Sequence, residues 1–266
     1  METSNTTGAR IEEYLSAGKR FDGRALDEFR DISVETGISN KAEGSARVRI
    51  GKTEVLVGVK MNVGTPYPDS PNKGNLMVTS ELLPLSSSRF ESGPPRFPAI
   101  ELGRLVDRGI REGKFIDFEK LCIKEGEKVW SVFVDIYSIN DDGNLLDAAG
   151  IGALIALKTA KMPKYNEEEG TVVYGEFTDE SVPVSDEIPI ITTIHKIGDN
   201  IIVDPVLEEE DVSEARVTIG GSKEGKIFSM QKGNSGEISI EEMGDILDIS
   251  EKARKNVLSK IEKYFK

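Results

Sequence analysis

The sequence has little of two residue types that build many functional sites: it holds one cysteine, Cys122, and one histidine, His195. A lone cysteine excludes an internal disulfide and is typical of a reducing compartment, so we predict a cytoplasmic protein. Zinc and iron–sulfur centres need several such ligands, and we predict neither. Any metal would have to be a hard cation bound by carboxylates.

Long apolar runs are also missing. No stretch approaches the roughly 20 apolar residues that a membrane-spanning helix needs. Residues 1–7 have neither the basic nor the apolar part of a signal peptide. We therefore expect no membrane partner. No Gly-x-Gly-x-x-Gly follows a predicted strand, and neither a Walker A nor a Gly-x-Ser-x-Gly motif occurs, so we expect no cofactor.

The chain lacks net positive charge, because its formal charge is −13 at pH 7. Proteins that bind nucleic acids on their own take most of their affinity from a basic surface. The charge therefore argues against a free-standing nucleic-acid binder. It leaves room for a local basic patch or for a basic partner subunit.

The pattern of apolar residues predicts an α+β protein with mixed or antiparallel sheets. Strands are indicated between 30 and 63, and the nearly continuous apolar run at 129–139 predicts a central strand. Helices are indicated at 98–113, at 146–161 and from 240 to 265. The second of these is rich in Ala and Gly, which predicts close contact with another element.

We divide the chain into four parts. Residues 1–29 form an N-terminal helix and turn, and 30–164 form a first domain. Residues 165–187 are acidic, turn-rich and poor in aliphatic side chains, which predicts a linker. Residues 188–266 form a second domain.

The clearest basic feature lies on the predicted helix at 98–113. At 100° per residue, Arg104, Arg108 and Arg111 share one side, opposite the apolar residues. Such a stripe suits an anionic partner. The spacing alone agrees equally with a solvated or ion-paired helix face.

Several motifs carry a resemblance to a known family. They are Arg20-Phe21-Asp22-Gly23-Arg24, the runs Gly44–Val48 and Gly51-x-Thr53-x-Val55-Leu56, and the small-residue helix before Pro163. These motifs resemble the ribonuclease PH family. Within it, the chain is most similar to the non-catalytic RNase-PH-like subunits of archaeal exosomes. That similarity is carried by 66–76, Glu81-Leu82-Leu83-Pro84-Leu85, Gly93-Pro94-Pro95 and 99–108.

The resemblance implies an RNase PH-like fold, with a βαβα core like ribosomal protein S5 domain 2 and a C-terminal α/β subdomain. It also implies a six-membered ring that alternates three copies of this chain with three copies of a catalytic RNase-PH-type subunit. RNA-binding cap subunits would sit on the ring. Such a ring degrades single-stranded RNA from the 3′ end with inorganic phosphate.

The sequence departs from the catalytic members of that family at three places. Phe97 and Pro98 replace an arginine pair before the helix. The loop 142–146 has neither the arginine nor the hydroxyl of the family's phosphate loop. Arg216 stands where a metal-binding aspartate belongs. Phosphoryl transfer depends almost wholly on positioning and charge neutralisation. We therefore predict that the chain has no catalytic residues and is not an enzyme on its own.

The resemblance bears on Arg104 and Arg108, whereas the other candidate residues are interpreted from the sequence itself. It implies that Arg104 and Arg108 bind RNA, whereas Arg111 is expected to be ion-paired or solvated. Asp22 and Arg24 are expected to fix a turn or the ring interface, and His195 is expected to be an ordinary strand residue.

An acidic stretch at 204–214 offers possible Mg²⁺ ligands, although Arg216 favours a solvated loop. Its carboxylates are Asp204, Glu208, Glu209, Glu210, Asp211 and Glu214. The rival hypothesis is a self-sufficient phosphorolytic exoribonuclease that uses Asp204 and Asp211 as a displaced acid set.

Overall fold

The computed structural model describes residues 3–266. In chain order its helices and strands are α1 (Asn5–Ser16), β1 (Ile32–Thr36), β2 (Gly44–Ile50), β3 (Thr53–Gly64), β4 (Asn75–Leu82), α2 (Phe97–Glu112), β5 (Cys122–Lys124), β6 (Lys128–Asn140), α3 (Leu145–Thr159), β7 (Lys161–Asn166), β8 (Thr171–Ser181), β9 (Ile190–Ile197), β10 (Asn200–Val203), α4 (Leu207–Asp211), β11 (Ala215–Gly221), β12 (Ile227–Gly233) and α5 (Ile240–Ile261). Short 3₁₀ helices lie at Glu119–Leu121 and Glu262–Tyr264. None of these helices is both long and apolar enough to cross a membrane.

Strand β6 is an interior strand of the first sheet, as its apolar run predicts, and pairs with β3, β4 and β5. The sheet order is β1-β2-β3-β6-β4, and β5 pairs with the start of β6. All neighbours are antiparallel except β4, which runs parallel to β6 at one edge. The second sheet, β10-β9-β11-β12, is antiparallel throughout. The predicted α+β class is confirmed.

Helix α3 lies between the two sheets and joins them into one core. It packs on β2 and β3 of the first sheet and on β9 of the second. The predicted close contacts occur at its glycines. A Cβ on Gly152 would lie 2.7 Å from Cγ2 of Val57, and one on Gly150 would lie 3.3 Å from Ile191. The small residues therefore let one helix serve both sheets.

The predicted linker at 165–187 is wrong as a description of structure. Strands β7 and β8 pair across a turn at Gly170, whose φ is +67°, and so form a two-stranded hairpin. The acidic side chains stay in solvent on this hairpin, while Val172 is buried and Tyr165 packs edge-on against Trp130. A few apolar anchors are enough to hold a hairpin on a neighbouring sheet, even where most of its residues are charged.

The packing of α3 gives the first prediction. Gly152→Ala adds a methyl group against a buried valine, and we expect it to lower the free energy of unfolding by about 1–3 kcal/mol. Gly244→Ala is the matched control, because Gly244 is exposed in α5 and a Cβ there would meet no side chain of the described residues within 4 Å. The control should be neutral or stabilising by up to about 1 kcal/mol. Urea denaturation measures both, and equal stability of the two variants would contradict this account of the core.

Candidate functional site

Helix α2 presents the basic residues because its other side is anchored in the core. Its buried positions include Leu102, Leu105, Val106 and Ile110, as the periodicity predicts. The helix also lies close against β4, since a Cβ on Gly103 would approach the carbonyl oxygen of Val78 to 3.1 Å. This packing therefore fixes the orientation of the exposed face of α2, which carries the basic residues.

Arg104 and Arg108 are exposed on that face. Within residues 3–266, neither guanidinium has an ion pair or a side-chain hydrogen bond. Both line a groove of about 480 Å³ between α2 and the edge strand β4, which also includes Gln231 of β12. Asp107 and Glu112 also line this groove, but neither forms an ion pair with Arg104 or Arg108. Two cations without carboxylate partners form a surface that can bind a phosphate chain.

Arg111 behaves differently from its two neighbours on the stripe. Its Nε and Nη2 atoms donate to the carboxylate of Asp107 at 3.1 and 2.8 Å, and Nη2 also donates to the carbonyl oxygen of Leu76. The expected ion pair of Arg111 is confirmed. Asp107 also holds the pKa of this guanidinium above its usual value.

A second cleft, of about 310 Å³, lies beside the first turn of α3. The structure brings together here residues from all three places where the sequence departs from the catalytic pattern, namely Pro98, Leu145 and Arg216. They are far apart in the chain and meet because α2, α3 and β11 converge at this point. We call this space the α3 cleft.

The charged groups of the α3 cleft already have partners within the protein. The backbone N–H of Asn144, at the start of α3, donates to a carboxylate oxygen of Glu210 at 2.9 Å. Arg216 pairs with Glu101 at 2.6 Å between Nη2 and Oε2. A helix N-terminus is a natural place for an anion, and in this protein Glu210 supplies that anion.

Two carboxyl groups of this cleft, Glu210 and Asp141, have raised pKa values. Burial raises the pKa of Glu210, and Asp141 and Asp211 add to the increase. Burial likewise raises the pKa of Asp141. Arg89 lines the cleft, but its Nη1 atom donates to Asp211 at 2.5 Å. The site therefore favours protons and cations over additional negative charge.

Most of the acidic stretch at 204–214 is not a solvated loop. Asp204 is fully buried and accepts hydrogen bonds from Arg24, Arg30 and Asn144. Burial acts to raise its pKa, but the hydrogen bonds and charge of Arg30 outweigh burial and lower the pKa overall. Glu208 is exposed, as expected, and Glu214 is exposed too. Over residues 3–266, no three His, Cys, Asp or Glu side chains are arranged to hold a metal ion.

The turn at 20–24 is also held by Arg20, whose distant partner the sequence did not indicate. Asp22 and Arg24 pair at 2.7 Å, so their expected role in the turn is confirmed. Arg20, however, is buried and makes a bidentate pair with Glu209 of α4. No local spacing signals a contact between residues so far apart; the Arg-x-Asp-Gly-Arg motif was the only available indication.

Asp147 is the second group that sequence reasoning missed. It lies in the first turn of α3, is fully buried, and neither carboxylate oxygen has a hydrogen-bond partner among the described residues. Burial raises its pKa from 3.8 to about 7; Thr193 and Asn144 lie near enough to offset part of this increase. His195 is an ordinary strand residue, as expected, and burial lowers its pKa to about 3.

Two family models match the chain. Domain 1 of the 3′ exoribonuclease family matches residues 28–163, and domain 2 of the same family matches residues 187–253. The chain belongs to the 3′ exoribonuclease family. Its predicted RNase PH-like fold is thereby confirmed.

Curated relatives in this family share nearly half of the sequence. The exosome complex component Rrp42 of Methanocella arvoryzae is 48% identical over 93% of this chain and 92% of its own length. The protein of that name from Thermococcus onnurineus is 48% identical over 90% of this chain and 88% of its own. Both names are those of exosome components, which agrees with the resemblance.

Solved structures in the family have the same fold. A chain of an Archaeoglobus fulgidus exosome with RNA bound to the active site superposes with a TM-score of 0.89 and 40% identity, covering 97% of this chain and 98% of its own. A chain of an archaeal exosome core gives a TM-score of 0.84 and 36% identity, over 98% and 97% of the two chains.

The buried carboxyl group gives the second prediction. The unfolded chain releases the Asp147 proton near pH 4, whereas the folded protein holds it to about pH 7. Asp147 therefore lowers stability progressively as the pH rises through this window. Asp147→Asn removes that dependence. The free energy of unfolding of the variant minus that of the unmodified chain should therefore be about 2–3 kcal/mol larger at pH 8 than at pH 5.

Urea denaturation at the two pH values measures this difference. Any fixed cost of burying the new amide is the same at both pH values and cancels. Asp245→Asn, at an exposed position of α5, is the control and should leave the pH dependence unchanged. Parallel pH profiles for the unmodified chain and Asp147→Asn would show that the buried carboxyl group is not protonated.

Proposed function

We propose that the chain is a non-catalytic ring subunit of an exosome. In this role it scaffolds a catalytic RNase-PH-type subunit, helps to structure that partner's active site, and binds single-stranded RNA for 3′-to-5′ phosphorolytic degradation. The names of its relatives and of the superposed structures support this assembly. Three copies of each subunit, RNA-binding cap subunits and a cytoplasmic location complete the proposal.

The observation that carries the absence of catalysis is the pairing within the α3 cleft. Phosphoryl transfer needs cations that are free to neutralise the phosphate and the developing charge. Here Arg216 is neutralised by Glu101, and Glu210 occupies the amide at the start of α3. An incoming phosphate would meet carboxylates before it met a free cation.

RNA binding is supported by the exposed face of α2. Arg104 and Arg108 are one helical turn apart, exposed, and free of carboxylate partners in the described chain. A protein with a net charge of −13 repels RNA over most of its surface. Unpaired cations in a groove are therefore the positions at which an RNA backbone would be held.

The rival hypothesis, a self-sufficient exoribonuclease, is not favoured by the contacts of its proposed acids. Asp204 is enclosed by two arginines and is inaccessible. Asp211 accepts hydrogen bonds from Arg89 and from the backbone and side chain of Thr3. Both carboxylates serve structural pairings, which leaves neither available to coordinate a metal or move a proton.

The third prediction tests catalysis directly. The purified chain should show no phosphate-dependent release of nucleoside diphosphates from RNA, because the α3 cleft cannot hold phosphate. Mixing it with the catalytic subunit should give a hexamer by light scattering and activity that needs phosphate. Phosphorolysis by the chain alone would disprove the proposal. Asp211→Asn should leave the ring active, and its inactivation with a wild-type partner would favour the rival.

The fourth prediction tests RNA binding. Arg104→Glu with Arg108→Glu should weaken RNA binding to the assembled ring by about tenfold or more. Two phosphate contacts are lost, so the slope of log affinity against log salt should fall by about 1.4. Fluorescence anisotropy at several salt concentrations measures both quantities.

The matched control for charge is Lys19→Glu with Lys252→Glu. These lysines are exposed on other surfaces and have no ion pair in the described chain. The control makes the same change in net charge and should have a much smaller effect. Unchanged affinity in the Arg104/Arg108 variant, with an intact hexamer, would exclude these residues as RNA contacts.

A further inference from the structure

A cleft of about 670 Å³ opens at the C-terminal end of α2, and no step of the proposed function uses it. We call it the α2-end cleft. Its charged lining comprises four cations and two carboxylates: Lys73, Arg111, Lys114, Lys120, Asp117 and Glu119. On a strongly acidic chain, a concave surface with an excess of cations is a candidate for a phosphate-bearing ligand.

Its cations are not all paired. Lys120 lies 3.3 Å from a carboxylate oxygen of Asp117. Lys73 and Lys114 are exposed and make no side-chain hydrogen bond or ion pair within residues 3–266. The turn after α2 holds Lys114 at a φ of +48°, an uncommon value for a residue with a side chain. This turn places Lys114 in the lining of the cleft.

Aromatic rings lie beside these cations. Tyr67 is 53% exposed and lines the cleft from the loop between β3 and β4. The guanidinium carbon of Arg111 lies 5.6 Å from the centroid of the Phe118 ring. An exposed ring next to unpaired cations is the combination with which proteins hold a nucleotide, since the base stacks while the phosphate is neutralised.

The walls of the α2-end cleft are fastened to each other by backbone hydrogen bonds. The N–H of Gly74 donates to the carbonyl oxygen of Phe118 at 2.8 Å, and the N–H of Asp117 donates to that of Pro183 at 2.9 Å. These bonds tie three separate segments together. The cleft is thus formed before any ligand arrives, which lowers the entropy lost on binding.

The cleft adjoins the groove that holds Arg104 and Arg108. Arg111 lines both spaces. Arg104 and Arg111 are seven residues apart on one helix, which corresponds to about 10 Å along its axis. A flexible strand that leaves the groove past Arg108 therefore reaches the α2-end cleft past two carboxylates of α2, Asp107, which Arg111 neutralises, and the exposed Glu112.

We propose that the α2-end cleft binds one nucleoside phosphate unit of the RNA strand held by Arg104 and Arg108, with the base on Tyr67 and the phosphate between Lys73 and Lys114. This inference rests on the proposed function, because the strand must first be bound by the ring. It adds a second contact further along the strand. The cleft is then a length-dependent subsite, used only by RNA long enough to extend past the groove.

The test uses assembled rings and a series of RNA oligonucleotides of increasing length. Lys73→Glu with Lys114→Glu should leave the affinity for the shortest bound oligonucleotides unchanged. Beyond a threshold length, affinity should fall by about tenfold and the salt slope by about 1.4. Lys19→Glu with Lys252→Glu is again the control with equal charge change. Equal affinity of variant and unmodified rings at every length overturns the proposal.

The stacking partner is tested separately. Tyr67→Ala should weaken binding of the long oligonucleotides by about fivefold or more, whereas Tyr67→Phe should retain it, because stacking needs the ring and not the hydroxyl. Tyr174→Ala, at another exposed tyrosine outside the cleft, should have no effect. Unchanged affinity of the Tyr67→Ala rings would remove Tyr67 from the site, and an equal loss of affinity in both variants would exclude stacking as its role.

Two further outcomes are distinguishable. If the Arg104/Arg108 variant weakens binding and the Lys73/Lys114 variant does not, the proposed function stands and this inference fails. If neither variant alters RNA binding, the proposed RNA contact itself fails. Titration of the same rings with ADP separates a free nucleotide from a strand. ADP binding that Lys73→Glu with Lys114→Glu abolishes, with RNA affinity unchanged at all lengths, would assign the cleft to free nucleotide and overturn the strand proposal.

Discussion

The buried carboxylate of Asp204 is the contact on which the arrangement of the two sheets depends. It receives hydrogen bonds from Arg24 of the N-terminal turn, from Arg30 just before β1 and from Asn144 at the start of α3. Nearby, Arg20 pairs with Glu209 in the same buried layer. Removing one partner of such a buried pair typically costs about 3–5 kcal/mol, because a charge is left unpaired. The cluster therefore sets where α3 begins relative to the second sheet.

The same constraint accounts for the lack of catalysis that we propose for the α3 cleft. Fixing Asn144 beside Asp204 places its backbone N–H within reach of Glu210, which then takes the position of an external anion. The cations next to it are neutralised in turn, Arg216 by Glu101 and Arg89 by Asp211. Each of these ion pairs can contribute to the stability of the fold. Together they leave the cleft, as lined by the described residues, with no unpaired cation to bind phosphate.

The sequence was sufficient where the signal is local. The period of 3.6 residues located α2 and separated its buried side from Arg104 and Arg108, and the apolar run at 129–139 located the central strand. It was insufficient where the partners are distant in the chain. Arg20 and Glu209 are 189 residues apart, and the burial of Asp147 depends on β9, which no local pattern connects to α3. Composition also misled at 165–187, because a hairpin with few apolar anchors has the same composition as a linker.

The distribution of charge accounts for the RNA-binding role that we propose for α2. A chain with a net charge of −13 opposes RNA over most of its surface, and at physiological salt this repulsion extends about 8 Å from each charge. On the exposed side of α2, Arg104 and Arg108 form no ion pair with a carboxylate of the described chain. Repulsion from the acidic surface and attraction to α2 would both restrict a bound RNA strand to one path. An acidic protein can therefore guide RNA more selectively than a uniformly basic one, which would hold the strand at many competing positions.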